Sequence, residues 1–387
     1  MCKLRFFAFF IAAAFFLIPS VARAQATPNE IKLLTQNTGW ALLHGRLYWT
    51  NDFGQDWRDI TPKAAASGRE SIADVFFLDT SDGWALLRNP ESDGGRYGGW
   101  SFELAATEDG GITWSVTPVA IPNWDPKSYT LGGSGTLDFV DASHGWVDLS
   151  LQSSPAANWG RLLATSDGGA TWRTVPAPIG FGDVRFISTQ TGWGAGGPGG
   201  TELVVTRDGG KTWQHVRVQA PPQFRKAIHA SYLAPLFTGA LRGFLPVMYT
   251  GAAPGGGSEA LGVSVFGTTN GGRTWHLAAV LKSAGGSSGG AFSLAATDET
   301  LVVPDMPWRG RLSISELPTS GPGAPALGVW PLRSQVGGAS FASPNQGWVL
   351  AGKLYATADG GQTWTDITPK TPSAPPHHGF VPPTPHF

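Results

Sequence analysis

Thr165-Ser-Asp167-Gly-Gly-Ala-Thr-Trp172 is one of six versions of a single eight-residue phrase. Three more are close to it: Thr107-Glu-Asp109-Gly-Gly-Ile-Thr-Trp114, Thr206-Arg-Asp208-Gly-Gly-Lys-Thr-Trp213 and Thr357-Ala-Asp359-Gly-Gly-Gln-Thr-Trp364. Two are looser: Thr50-Asn-Asp52-Phe-Gly-Gln-Asp-Trp57 and Thr268-Thr-Asn270-Gly-Gly-Arg-Thr-Trp275. The residue types spell a turn. A short Asp accepts backbone N–H groups of its own turn, and a Gly pair takes positive φ without a Cβ clash. The Trp opens the following strand, where its ring lies between neighbouring sheets. One buried indole removes on the order of 150–250 Å² from water. At about 25 cal/mol per Å², that makes the Trp a larger contributor than the Asp.

Each copy follows an apolar alternating stretch, a few turn residues, and Gly-Trp. The pairs are Gly39-Trp40, Gly83-Trp84, Gly145-Trp146, Gly192-Trp193 and Gly347-Trp348, with Gly243-Phe244 as a variant. One unit therefore predicts four short strands: Thr136–Asp141, Trp146–Leu151, Arg161–Thr165 and Thr171–Val175, joined by Gly, Asp and Ser. Four antiparallel strands in every 40 to 60 residues is the recipe for a β-propeller blade. Successive copies are 57, 58, 41, 62 and 89 residues apart. The last interval has room for a unit without the phrase, with strands expected at Phe292–Ala296, Thr300–Val303, Arg311–Leu317 and Leu327–Leu332. The expectation is an all-β, seven-bladed propeller of four-stranded antiparallel blades, with six blades as the alternative if that stretch is an insertion.

The flanks read differently. Lys3 and Arg5 precede an apolar run from Phe6 to Ile18, and Ala22-Arg23-Ala24 follows Pro19. This is the pattern of a secretory signal peptide over 1–24; an uncleaved anchor is the competing reading, against which the run is shorter than the roughly 20 residues a span needs. The propeller is assigned to 25–370. The Pro-rich 371–387 reads as a disordered or polyproline tail. Cys2 is the only cysteine, so the exported chain has no thiol or disulfide chemistry. Without residues 1–24 the chain carries 24 basic against 28 acidic side chains. No basic excess is left for a phosphate backbone, which argues against nucleic acid. No later segment suits stable membrane insertion, no cofactor or metal motif is present, and a monomer is expected.

Blade topology puts the repeated turns on one face and the variable loops on the other: Asn89–Trp100, Pro122–Ser134, Gln152–Gly160, Pro221–His229, Gly251–Glu259 and Asp305–Arg311. Variable loops on a rigid scaffold are where function collects. Their candidate binding residues are Arg96, Tyr97, Trp100, Trp124, Trp159, Arg161, Arg225, Trp308, Arg309 and Arg311, accompanied by Arg88, Tyr129 and Lys226. Trp, Tyr and Arg are the usual anchors of binding surfaces, and they also suit sugars and carboxylates. The competing reading packs these rings onto their own loops and pairs the arginines with Glu91, Asp93, Asp125 or Asp305. Asp52, Asp109, Asp167, Asp208, Asn270 and Asp359, with Trp57, Trp114, Trp172, Trp213, Trp275 and Trp364, are assigned structural roles, and no catalytic residue is assigned.

Val184-Arg-Phe-Ile-Ser-Thr-Gln-Thr-Gly-Trp-Gly-Ala-Gly followed by Glu202-Leu-Val-Val-Thr-Arg-Asp-Gly-Gly-Lys-Thr-Trp resembles the repeat of the photosystem II assembly/stability-factor-like propellers. These sit within the wider group of Asp-box (BNR) repeat proteins, alongside sialidases, xyloglucan-type glucanases and sortilin-like receptors. The resemblance covers most of the chain outside the tail and 292–332, and implies a non-enzymatic, exported seven-bladed propeller that docks on a protein and assists assembly; the loop residues add a glycan as the alternative partner. The rival it also implies is a sialidase-like glycoside hydrolase. Sialidases of the group show Arg-Ile-Pro before the first repeat, where this chain has Ile31-Lys-Leu-Leu. No glutamate here has a recognisable nucleophile context.

Overall fold

The computed structural model describes residues 29–68, 70–90, 99–125, 129–152, 159–178, 182–253, 256–282 and 337–370. It also describes strand pieces at 295–296, 301–302, 313–315 and 326–329. The expected leader over 1–24 and tail over 371–387 lie outside the described residues.

Strands A to D of each blade follow one another in chain order and pair antiparallel with their neighbours. The first blade comprises Glu30–Leu33, Gly39–Leu43, Arg46–Thr50 and Arg58–Asp59; the second Ser71–Phe77, Gly83–Pro90, Trp100–Thr107 and Ser115–Pro118. The third comprises Leu131–Phe139, Gly145–Leu151, Trp159–Thr165 and Arg173–Thr174; the fourth Gly182–Phe186, Gly192–Gly196, Glu202–Thr206 and Gln214–His215. In the fifth, strand A is split into His229–Tyr232 and Leu236–Phe237, before Gly243–Ala252, Ser258–Thr268 and His276–Lys282. The sixth comprises Gly338–Phe341, Gly347–Leu350, Leu354–Thr357 and Thr365–Asp366. The A strands line the centre.

The repeated turn is a closed hydrogen-bond unit. In the third blade, Thr165 Oγ1 accepts the amide of Gly169 at 2.9 Å and donates to Asp167 Oδ1 at 2.7 Å. Asp167 in turn accepts Thr171 N at 2.8 Å and Thr171 Oγ1 at 2.5 Å. Gly168 and Gly169 have φ of 71° and 99°, a region that favours glycine. The first turn puts Phe53 at such a place, with φ of 62°, and its ring lands 6.1 Å from that of Trp348 across the ring closure.

Between blades a second relay operates. Strand A of blades two to six contains a Phe six positions before the Gly of Gly-Trp (Gly-Phe in the fifth): Phe77, Phe139, Phe186, Phe237 and Phe341. A Cβ on Gly83, Gly145, Gly192, Gly243 or Gly347 would overlap that ring. Glycine thus lets the Phe lie flat on its own blade while its other face meets the Trp of the preceding blade. Trp84 stacks on Phe139 at 3.7 Å and Trp146 on Phe186 at 3.5 Å, both nearly parallel. These tryptophans are deeply buried, as are Trp40, Trp49, Trp193 and Trp348. The repeat-turn indoles are mostly half-buried, and three of them tie blades together through Nε1. Trp114 donates to Ile60 O (2.8 Å), Trp213 to Pro176 O (3.1 Å) and Trp57 to Ile367 O (2.7 Å).

Six complete blades form among the described residues, which corrects the expectation of seven. The stretch expected to supply another is described only as Ala295–Ala296, Leu301–Val302, Ser313–Ser315 and Ala326–Val329, a fragmentary sheet between the fifth and sixth blades. The reason is in the relay. Residues 292–332 have neither the Thr-x-Asp turn nor a Gly-Trp pair, so the stretch lacks both fastenings of the repeat. In the sixth blade, Trp364 turns its Nε1 onto Gly361 O of its own turn at 2.9 Å.

Candidate functional site

Strand A runs toward the repeated turns, so the B–C loops and D–A connections share the opposite face. On that face the second and third blades gather side chains from three segments. Trp100 opens strand C of the second blade, Trp124 and Tyr129 come from the D–A connection, and Arg161 lies on strand C of the third. The Arg161 guanidinium stands 5.9 Å from the Trp124 ring and 5.9 Å from the Tyr129 ring, within the range of cation–π attraction. The two rings are 6.3 Å apart. Arg161 Nε is shielded from solvent and has no hydrogen-bond acceptor among the described residues. Tyr129 is 53% exposed, whereas Trp100 and Trp124 rest against the core between the two blades.

Arg88 stands next to this group but is not a loop residue. It is buried on strand B, where it donates to Ser71 Oγ at 2.8 Å and to Gly133 O of the next blade at 2.5 Å. Its guanidinium lies 5.3 Å from the Trp100 ring. The desolvation that comes with burial lowers its pKa, and the arginine works as a cross-blade pin that supports Trp100.

A carboxyl pair lies at the same end of the second blade. Burial raises the pKa of Glu70, the charge of Glu103 beside it raises it further, and a hydrogen bond with Asn89 lowers it.

The centre of the molecule holds a cavity of about 540 Å³, lined by A strands and containing Glu30, Lys32, Asp74, Asp138, Asp183 and Arg185. Several of these serve the scaffold. Asp74 Oδ2 accepts Leu137 N of the next blade at 2.6 Å, and Asp138 accepts Phe186 N of the blade after. Ser340 Oγ does the same for Leu33 N at 2.9 Å where the ring closes. Arg185 donates to Leu137 O at 3.2 Å and lies 3.9 Å from Asp138. Burial pushes up Glu30 to about 8, with Asp74 adding to it; Asp74 rises to about 6 and Asp138 to about 7, both through burial. Lys32 is lowered, by desolvation and then by Arg185. Among the described residues, no group of three or more His, Cys, Asp or Glu is arranged to hold a metal ion.

Of the candidates named from the sequence, Trp100, Trp124 and Arg161 are brought together, with Tyr129. Arg225 is exposed near the fifth blade, away from them. Arg96, Tyr97, Trp308, Arg309 and Arg311 lie outside the described residues, as does the side chain of Trp159. The charged lining of the cavity was missed. Its signal is the alternation Glu30-Ile-Lys32-Leu and Asp183-Val-Arg185-Phe, which places charge on one face of strands that sit innermost.

No protein-family model matches the chain, and no curated protein matches it in sequence. Solved β-propeller structures are similar to it. YCF48 bound to a D1 peptide is 21% identical over 77% of this chain and 82% of that one, with a TM-score of 0.43. YCF48 from Cyanidioschyzon merolae is 17% identical over 79% and 88%, at 0.49. The Trypanosoma rangeli sialidase in complex with 2,3-difluorosialic acid is 14% identical over 75% and 51%, at 0.40. The architecture itself rests on this chain's own strand order.

Proposed function

We propose that this chain is an exported, non-catalytic propeller that binds a protein or glycan partner through the loop face of its second and third blades. The observation that carries the reading is the Trp124–Tyr129–Arg161 cluster. An arginine stands beside two rings, one ring is open to solvent, and the arginine Nε has no acceptor among the described residues. Clustered aromatic and arginine side chains are the commonest energetic anchors of interfaces.

An array of polysaccharides and extended peptides, probed with the purified full chain, tests the proposal. Tyr129→Ala combined with Arg161→Gln is expected to weaken any captured ligand at least about tenfold, with the thermal midpoint moved by only a few degrees. Undiminished binding by the double variant, or turnover of an arrayed glycan, would overturn it.

A further inference from the structure

The outer strand of the fifth blade differs from every other outer strand of the complete blades. Arg58–Asp59, Arg173–Thr174, Gln214–His215 and Thr365–Asp366 are two residues long and exposed, and Ser115–Pro118 ends in a proline. Such edges are short, polar or capped, as sheet edges that avoid pairing are. His276–Lys282 is seven residues long and contains the uninterrupted apolar run Leu277-Ala-Ala-Val-Leu281. It pairs with Ser258–Thr268 on one side, and on the other with nothing among the described residues. Leu277 is 42% exposed, while Ala279 and Leu281 lean on the cluster of Phe244, Val263 and Val265. The strand is thus firmly seated, with one bulge at Ala278, and no described residue pairs with its outer row of backbone N–H and C=O groups.

We infer that this edge accepts an additional antiparallel strand from a partner protein: an extended, apolar segment flanked by acidic residues. The charge pattern identifies the occupant. From Ala260 to Thr297 the chain has no Asp or Glu, while Arg273, His276 and Lys282 bracket the strand. Acidic flanks complement that pattern. A second copy of this chain does not, since its strand carries the same basic flanks and no acidic residue to meet them. Main-chain hydrogen bonds would supply affinity and the alternate side chains selectivity. The surface is separate from the loop-face cluster, so the two proposals stand or fall independently.

The probe is a synthetic capped peptide, Glu-Val-Thr-Val-Thr-Val-Glu, titrated into the full-length protein and followed by amide hydrogen exchange. Protection of the amides in 276–282 is expected. Binding should fall at least about tenfold when alternate peptide amides are N-methylated, because the side chains are kept and the hydrogen bonds lost. It should fall again with lysine in place of the flanking glutamates, and with Leu277→Lys, whose side chain is exposed enough for the fold to persist. No protection at 276–282, equal binding of the N-methylated peptide, or binding that instead depends on Tyr129 and Arg161 would overturn the inference. So would concentration-dependent dimerisation that protects the same amides without peptide, since the occupant would then be a second copy.

Discussion

Solvent does not reach Thr165, yet its hydroxyl stands at the hub of a surface turn, accepting Gly169 N and donating to Asp167. Asp167 is the more recognisable residue in the sequence, but its carboxylate is open to water. The fifth blade shows what an amide does there: Asn270 Oδ1 accepts Thr274 N at 3.0 Å and its Nδ2 donates to Thr274 Oγ1 at 2.8 Å. Thr165→Val keeps the shape and leaves the buried Gly169 amide without an acceptor, a loss of about 1–3 kcal/mol. The thermal midpoint is expected to drop several degrees. Asp167→Asn should do much less at neutral pH. Its effect belongs to acid, because the hydroxyl and amide of Thr171 hold the Asp167 carboxyl down at about 2. The stabilisation from its ionisation is complete above the unfolded value near 4 and is lost as pH falls through about 2. Acid denaturation curves of the Asn variant should lack this component, and a Thr165→Val protein as stable as wild type would contradict the division of labour.

At the scale of strands and blades, what the sequence made legible was whatever repeats as a side-chain type in a turn. The third blade was readable to within a few residues at strands B and C. Strand A proved longer than its expected Thr136–Asp141, reaching back to Leu131, because it runs down the inner wall, where Gly132, Gly133 and Gly135 obscure the alternation. Strand D shrank from Thr171–Val175 to Arg173–Thr174, because Thr171 and Trp172 are spent on the turn. The Phe-to-Gly spacing of six was present in the sequence, yet its purpose shows only when the preceding blade's Trp is seen on the far side of the ring. Closure of the ring was not legible either: no strand is exchanged between the first and sixth blades, and Trp57 Nε1 on Ile367 O spans the seam. Trp57→Phe removes that bond, worth about 1 kcal/mol, together with part of the packing on Trp348. Amide exchange at Thr365–Thr368 should speed up correspondingly. Trp364→Phe removes a bond within its own turn and should leave exchange at the first blade unchanged; equal effects of the two variants at both ends would rule out a localised seam.

For the molecule as a whole, the two sets of carboxylates pull stability in opposite directions with pH. Those of the turns are held low, and four of them, Asp109, Asp167, Asp208 and Asp359, stand at about 2. Those of the central cavity are held high by burial: Asp74 at about 6, Asp138 at about 7 and Glu30 at about 8. A carboxyl whose folded pKa lies above its unfolded value near 4 is better protonated in the fold. Its contribution is therefore complete below pH 4 and is lost as pH rises through the folded value. Arg185 and Lys32 face these groups and offset part of the repulsion, Arg185 through its contacts with Asp138 and Leu137 O. Stability is thus expected to rise as pH climbs from 2 to 4, reach its maximum in mildly acidic solution, and decline between about 5 and 8. Thermal midpoints measured across that range would trace the decline. Glu30→Gln should flatten its upper part and raise the midpoint at pH 8, because the amide removes a charge that the cavity holds poorly. Asp138→Asn keeps an oxygen for Phe186 N and should flatten the middle of the curve. A midpoint that stays level from pH 5 to 8, or a Glu30→Gln protein less stable than wild type at pH 8, would mean that the cavity carboxylates are compensated by the two cations after all.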